Sequence, residues 1–395
     1  MQLINSMMEN SRHTAREFAE MERLLAPENE KLRTLIFYAE RFADHRYYRD
    51  FIDQILEQSE LRICYLTSDP EDPIFKTENK RVAPFFIRNL LATVMQKLDS
   101  KAIVMTTPDL NMGMVKRAPN SHHIYAYHGV SSIHQGYRLH GLDHFDSLLC
   151  IAQYQIDELR KMEELYNLPA RELPLVGYPY IERIYTDHQR YLSTQPGQSA
   201  GSRKKCLLAP TWDPKGKSSI MDSCIEPLIE QLASIDMDFT VRPHPEYVKR
   251  FAKRIDAIKK LAKKATNITF ETAPSDPKLS LHQADILITD HSTISFDFFL
   301  GTERAVVFID TPRRIDNEEM NRIGTEPVEE TVRSSLGARV APTNLGSLKE
   351  ILPTLLAKSS QPSFRQSVVE LRHQLVSNWQ HSAEIGAAHI VKHCR

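Results

Sequence analysis

Short aliphatic runs alternate with longer amphipathic segments along nearly the whole chain, and this rhythm leaves few folds open. Runs of four to six residues separated by helix-length segments predict α/β units wound around parallel sheets. In the first half the predicted strands are Thr34–Tyr38, Leu61–Leu66, Ala102–Thr106, His123–Tyr127, Ser147–Ala152 and Leu173–Gly177. In the second half they are Cys206–Ala209, Phe239–Arg242, Ile268–Glu271, Ile286–Thr289, Val306–Ile309 and Arg339–Ala341. The expectation is therefore two doubly wound, Rossmann-like domains, whose ligands sit at the carboxyl ends of the strands and in the cleft between them.

The stretch STQPGQSAGSRKK, residues 193–205, is rich in Pro, Gly and Ser and almost free of apolar side chains, which marks it as a linker. It divides the 395 residues into a helical segment over 1–29, a first domain over 30–192, a second over 206–360, and a tail over 361–395. The segments 8–25 and 363–392 each read as one amphipathic helix, the second packing back toward the first domain. Lys plus Arg (50) balance Asp plus Glu (51), so any electrostatic attraction must be local. Five scattered cysteines without a CxxC pair fit a reducing compartment. With no signal-like amino terminus and no long apolar run, the protein is expected in the cytoplasm, touching a membrane only at its surface.

Histidine is the most informative residue type, because six of the 16 fall between His122 and His144. His128-Gly129 directly follows a predicted strand, which would stand an imidazole at a carboxyl end with a glycine freeing the turn. His122, His123, His140 and His144 read as loop or filler residues, and the run lacks metal-ligand spacing, so no metal site is expected. Arg242-Pro243-His244-Pro245 also follows a strand, with two prolines stiffening the backbone around a guanidinium suited to phosphate. Asp290-His291-Ser292 has the composition of a nucleophilic triad, but neighbours on one extended stretch point apart and there is no G-x-S-x-G elbow. Ser292 and Thr293 instead open a helix, where hydroxyls and free N–H groups can hold an anion. The stretch 249–264 carries eight positive charges and one negative, and reads as a single cationic helix able to meet anionic headgroups. GxGxxG and GxxxxGK[ST] are both missing, and no basic patch is interleaved with stacking aromatics, so dinucleotide, P-loop and nucleic-acid partners are disfavoured.

Taken in order, several pieces resemble the CDP-glycerol glycerophosphotransferases, the family of teichoic-acid primases and polymerases. They are Tyr127-His128-Gly129 with Phe145-Asp146, Leu208-Ala209-Pro210-Thr211-Trp212, Arg242-Pro243-His244-Pro245, and Thr289-Asp290-His291-Ser292-Thr293 with Phe296-Asp297, spanning roughly residues 120 to 310. The resemblance implies a GT-B fold and transfer of a polyol phosphate, glycerol phosphate first, from a CDP-alcohol to a hydroxyl of a glycan or lipid-linked acceptor, with release of CMP. It implies catalytic roles for His128 and His244, and substrate binding by Gly129, Thr211, Arg242, Asp290, Ser292 and Thr293. No cofactor is called for beyond the CDP-alcohol, which is a substrate. Tyr127 stands where the family usually has Trp, and His291-Ser292-Thr293 where it usually has Tyr-Ser-Ser; these departures bear on donor identity. The alternatives are a GT-B enzyme acting on a UDP-sugar and a silent scaffold of the same fold, the latter opposed by retention of both histidines.

Overall fold

The computed structural model describes residues 2–194, 202–272 and 277–395. Two six-stranded sheets, every pairing parallel, organise the chain. The first contains β1 (Leu35–Ala39), β2 (Ile63–Thr67), β3 (Val82–Phe86), β4 (Ala102–Met105), β5 (His122–Ala126) and β6 (Ser147–Leu149). The second contains β7 (Lys205–Leu208), β8 (Asp238–Val241), β9 (Ile268–Phe270), β10 (Ile286–Thr289), β11 (Val306–Ile309) and β12 (Gly337–Val340). Their spatial orders are β3-β2-β1-β4-β5-β6 and β12-β11-β10-β7-β8-β9. Renumbered within itself and read from the other edge, the second sheet repeats the 3-2-1-4-5-6 order of the first. Each sheet thus has a switch point, at β1/β4 and at β7/β10, where the turns after neighbouring strands diverge and leave a crevice. β1, β2, β4, β10 and β11 are buried along their full length, as strands covered on both faces must be.

Two strand expectations need correction. β3 reads VAPFF, and Pro84 hides it from a strand search; proline is tolerated because β3 is an edge strand. The helix Gln2–Leu25 covers that edge: Arg23 donates to the Pro84 carbonyl at 2.7 Å and lies 3.8 Å over the Phe85 ring. Leu173–Gly177 forms only bridge pairs beside β6, since Pro174 lacks an N–H and Gly177 turns away at φ +100°.

The predicted linker is shorter than its composition suggests. Ser193 and Thr194 close the helix Pro179–Thr194 and Lys205 opens β7, while residues 195–201 lie outside the described residues. The tail is two helices rather than one, Pro362–Leu375 and Ser382–Lys392, separated by a turn in which Asn378 and Gln380 take φ of 50° and 68°. That turn is fixed from the first half, where the Ser377 N–H donates to Ile151 O at 2.9 Å and Asn378 Nδ2 to Leu175 O at 2.7 Å. The cationic stretch is likewise split, into Pro245–Arg250 and Ala252–Ala262, by Phe251 at φ −124°, ψ 44°.

The two sheets are tied together by the helices Pro179–Thr194 and Ile294–Thr302, which pack closely. A Cβ on Gly301 would collide with Cγ2 of Ile184 and press on the backbone of Tyr185. The tail reinforces this joint: Arg372 donates to Leu300 O at 2.8 Å and pairs with Glu303 at 2.9 Å, under the rings of Tyr185 and Trp379. From there the chain returns to the first half, where Ser382–Lys392 lies against His45–Gln58, with Gly386 facing Phe51.

Alanine in a helix interior ordinarily stabilises by about 1 kcal/mol relative to glycine, whereas overpacking costs about 1–3 kcal/mol. At Gly301 the collision should win. Gly301→Ala is expected to lower the denaturant midpoint, and a double-mutant cycle with Ile184→Ala should show less-than-additive loss.

Candidate functional site

The two sheets point their carboxyl ends into one cleft of about 1350 Å³. All eight site residues expected from sequence line it: His128 and Gly129 from the first sheet, and Thr211, Arg242, His244, Asp290, Ser292 and Thr293 from the second. Each follows a strand: His128 after β5, Thr211 after β7, Arg242 after β8, and Asp290 after β10. The other histidines of the dense run go elsewhere. His123 is buried against Ser121 O, His134 pairs with Glu158 and reaches Thr325 O, and His140 pairs with Asp143.

The two cleft histidines differ in what meets Nδ1. At His128 this nitrogen faces two hydroxyls, Thr106 Oγ1 at 3.0 Å and Tyr125 Oη at 3.3 Å, and the Tyr125 hydroxyl also reaches Thr106 O at 3.0 Å and Tyr137 Oη at 3.4 Å. Either hydroxyl oxygen can accept from Nδ1–H, the tautomer that leaves Nε2 as a base. At His244 the Glu246 N–H donates to Nδ1 at 3.2 Å, so its proton belongs on Nε2, which becomes a donor. Both pKa values are pulled down to about 4, first by crowding from the protein and next by the charge of Arg41. The His128 ring is nevertheless open to the water of the cleft. Both rings are neutral at pH 7, which these tautomers require.

Opposite His128, the walls nearly touch. A Cβ on Gly129 would lie 3.1 Å from Thr293 Oγ1 and 3.2 Å from its Cβ and Cγ2, so any larger residue would push the walls apart. Thr293 sits at the N-cap of Ile294–Thr302 without making a side-chain cap bond, and Ser292 Oγ meets Ile294 N at 3.5 Å. Arg242 Nη1 donates to Ser280 Oγ at 2.9 Å, which fixes the guanidinium at the second wall.

Asp290 and His291 work differently from their neighbours. The fully buried Asp290 carboxylate accepts Thr211 N at 2.8 Å and Ile220 N at 2.9 Å, while its carbonyl accepts from Arg333 at 2.7 Å. His291 Nε2 faces Thr311 O at 2.9 Å and its Nδ1 takes an Arg333 N–H at 3.2 Å. These bonds lock three loops behind Ser292-Thr293. A triad is excluded by the partners these side chains already have.

Three groups not singled out from sequence also reach the cleft. Arg41, just past β1, lines the cleft and is the charged group that most depresses both histidines. Arg46 and Asp297 also line the cleft, close enough for the Arg46 charge to act on the carboxyl. Burial raises the Asp297 pKa to about 7 against the pull of Arg46 and Arg242. The signal was present: Asp297 is the only charged residue in the otherwise apolar helix ISFDFFLGT, and Arg41 follows a strand just as His128 and Arg242 do.

The family model for CDP-Glycerol:Poly(glycerophosphate) glycerophosphotransferase matches residues 49–311. The chain belongs to this glycerophosphotransferase family. The match covers β2 to β11 and every residue of the cleft named above except Arg41, Arg46 and the carboxyl-terminal Arg333. Among solved structures, the fold is similar to a single-substitution variant of the wall teichoic acid polymerase TagF, at 15% identity over 99% of this chain and 98% of that one, with a TM-score of 0.62. It is also similar to a UDP-GlcNAc 2-epimerase from Neisseria meningitidis bound to UDP-GlcNAc, at 9% identity over 91% and 99%, TM-score 0.58. A third is a putative UDP-N-acetylglucosamine 2-epimerase from Listeria monocytogenes, at 12% identity over 91% and 96%, TM-score 0.56. These likenesses establish the GT-B fold. No curated protein matches the chain.

Because folding raises the Asp297 pKa, its contribution to stability is fully present below the unfolded carboxyl value near 4 and is lost as pH rises through about 7. Asp297→Asn keeps the neutral form at every pH. It should melt above wild type at about pH 8, by an equivalent of about 1–2 kcal/mol after allowing for water in the cleft, and converge with it toward pH 4. Melting curves across this range check the sign.

Proposed function

We propose that this glycerophosphotransferase-family protein moves glycerol phosphate from CDP-glycerol to a hydroxyl of a glycan or lipid-linked acceptor, releasing CMP. The observation that carries the reading is the pairing across one cleft of two imidazoles, His128 and His244, beside Arg242 and the Ser292-Thr293 hydroxyls. The first half takes the acceptor and the second the CDP donor. The acceptor oxygen attacks the phosphorus of the glycerol phosphate, and its proton passes to His128 Nε2. A phosphodiester bond forms as the bond to the CMP oxygen breaks. His244 Nε2–H, Arg242 and the two hydroxyls stabilise charge on the departing phosphate. Arg41, on the cleft wall, steadies the equatorial oxygens, while Asp290 positions the loop and Gly129 admits Thr293. No organic cofactor enters the reaction.

His128→Ala and His244→Ala should each lower turnover by about 10²–10⁴-fold with circular dichroism unchanged. The assay incubates the protein with CDP-glycerol, other CDP-alcohols and UDP-sugars, and identifies the released nucleotide and product by mass spectrometry. UDP release with a glycosidic product would establish the sugar-transfer alternative instead.

A lipid-linked acceptor would bring the cleft to a membrane surface, and none of the described helices is long and apolar enough to cross one. The face that supports surface contact is the helix Ala252–Ala262 with its neighbours, where Lys253, Lys260, Lys263 and Lys264 are exposed beside the 45% exposed Phe251. Other charges of this stretch already have partners: Arg250 with Glu246, Arg254 with Glu226, and Lys259 with Thr272. Reversing the four exposed lysines should weaken binding to phosphatidylglycerol-containing vesicles in a cosedimentation assay, by about 1 kcal/mol per charge. Unchanged binding would assign this face to solvent.

A further inference from the structure

The strands' amino ends, opposite the cleft, hold a second cluster of histidines. His122 opens β5, and the last helix brings His389 and His393 over it. His389 and His393 are four residues apart, and His393 extends the helix with φ −84°, ψ 0°, so both imidazoles share one helical face. His122 stacks on His393 with ring centroids 3.6 Å apart and planes within 10°, and His389 meets His393 edge-on at 4.8 Å. One ring nitrogen from each of the three lies within 4.8 Å of the others.

His122 Nε2 at 2.6 Å and His389 Nε2 at 3.0 Å both converge on the single hydroxyl of Ser147, which can donate to one ring and accept from the other. Glu172 accepts from Lys392 at 2.9 Å and lies 3.3 Å from His393 Nε2, a carboxylate–histidine contact of the kind that orients metal-binding imidazoles.

We propose that His122, His389 and His393 form a binding site for a divalent transition metal of the zinc class, which clamps the last helix onto the first sheet. Imidazole is a preferred ligand of zinc, and a helical i,i+4 pair joined by a third histidine from a strand supplies three positions of a tetrahedron. Metal–nitrogen distances of about 2.0–2.1 Å would draw the nitrogens to about 3.4 Å from one another, and the stacked rings of His122 and His393 would have to rotate out of their parallel arrangement for both in-plane lone pairs to meet one ion. The fourth position is left to water or to the Glu172 carboxylate. The site is separate from the cleft in space and in chemistry, and it stands whether or not the proposed transfer reaction does. The spacing of His122 to His144 gave no sign of it, because two ligands lie some 270 residues further along the chain.

The test uses full-length protein stripped with a chelator, with any histidine tag removed, titrated with Co²⁺ and then Zn²⁺. One equivalent of Co²⁺ per chain with the intense visible bands of tetrahedral cobalt, displaced by Zn²⁺, is expected, together with a rise in melting temperature on adding Zn²⁺. His389→Ala and His393→Ala should each weaken binding by more than about tenfold, and Glu172→Gln by about 10-fold or more. His128→Ala, in the cleft, should bind as wild type does. Failure of the wild-type protein to take up a stoichiometric equivalent, or uptake that survives both His389→Ala and His393→Ala, would overturn the proposal. The wild-type titration decides even if a variant fails to fold.

Discussion

The geometry of the cleft depends on one close contact between helices. Pro179–Thr194 belongs to the first half and Ile294–Thr302 to the second, and Gly301 lets them approach until Ile184 fills the space where a side chain would have been. The same helix Ile294–Thr302 begins at Thr293, which faces Gly129 at van der Waals distance. A single rigid rod is thus fixed at its far end by the joint and at its near end by the opposing wall. Interiors packed at crystal-like density transmit displacement instead of absorbing it. A shift at Gly301 therefore moves Ser292-Thr293 relative to His128, more than 160 residues earlier in the chain. Arg372 and the turn at Asn378 brace the joint from outside, so the last part of the chain acts on the site through packing alone.

Chemical difference between the two cleft histidines arises from what each Nδ1 meets. A backbone N–H at His244 fixes its proton on Nε2, whereas the hydroxyls at His128 allow the proton on Nδ1 and so leave Nε2 able to act as a base. Depressing both pKa values keeps each ring in the single neutral form where that difference matters. Arg41 contributes to both depressions, so one cation raises the positive potential that a pyrophosphate would need and holds the imidazoles unprotonated. Asp297 opposes this in the cleft, where its ionisation near neutrality sets how much of the Arg46 and Arg242 charge remains uncompensated.

The alternation of apolar runs made both sheets legible, as did the rule that ligands gather past strand carboxyl ends; every site residue chosen on that rule lines the cleft. What escaped was non-local. β3 was masked by Pro84, whose fitness for an edge is visible only once the strand order is known. The breaks at Phe251 and at Asn378 interrupt segments whose apolar spacing stays helical, and at Asn378 tertiary bonds from Ile151 and Leu175 decide where the helix stops. The helix boundary that swallowed Ser193 and Thr194 shows the same limit, because composition reports polarity and not the reach of an amphipathic face.

The stretch ITDHST shows why side-chain chemistry cannot be read without its partners. Asp290 and His291 have the residue types of a proton relay, yet β10 is a central strand and its end is the most enclosed point of the second sheet. A carboxylate buried there must be satisfied by hydrogen bonds, and Thr211 and Ile220 supply two backbone N–H groups from loops that would otherwise carry unpaired donors. Arg333 completes the arrangement by joining the Asp290 carbonyl to His291. The polar cluster is therefore the price of bringing three loops together at a strand end. Ser292 and Thr293 lie one step past it, half-buried, where the chain turns into a helix at the cleft wall. Asp290 and His291 commit their hydrogen-bonding capacity to the fold, whereas Thr293 makes no side-chain cap bond.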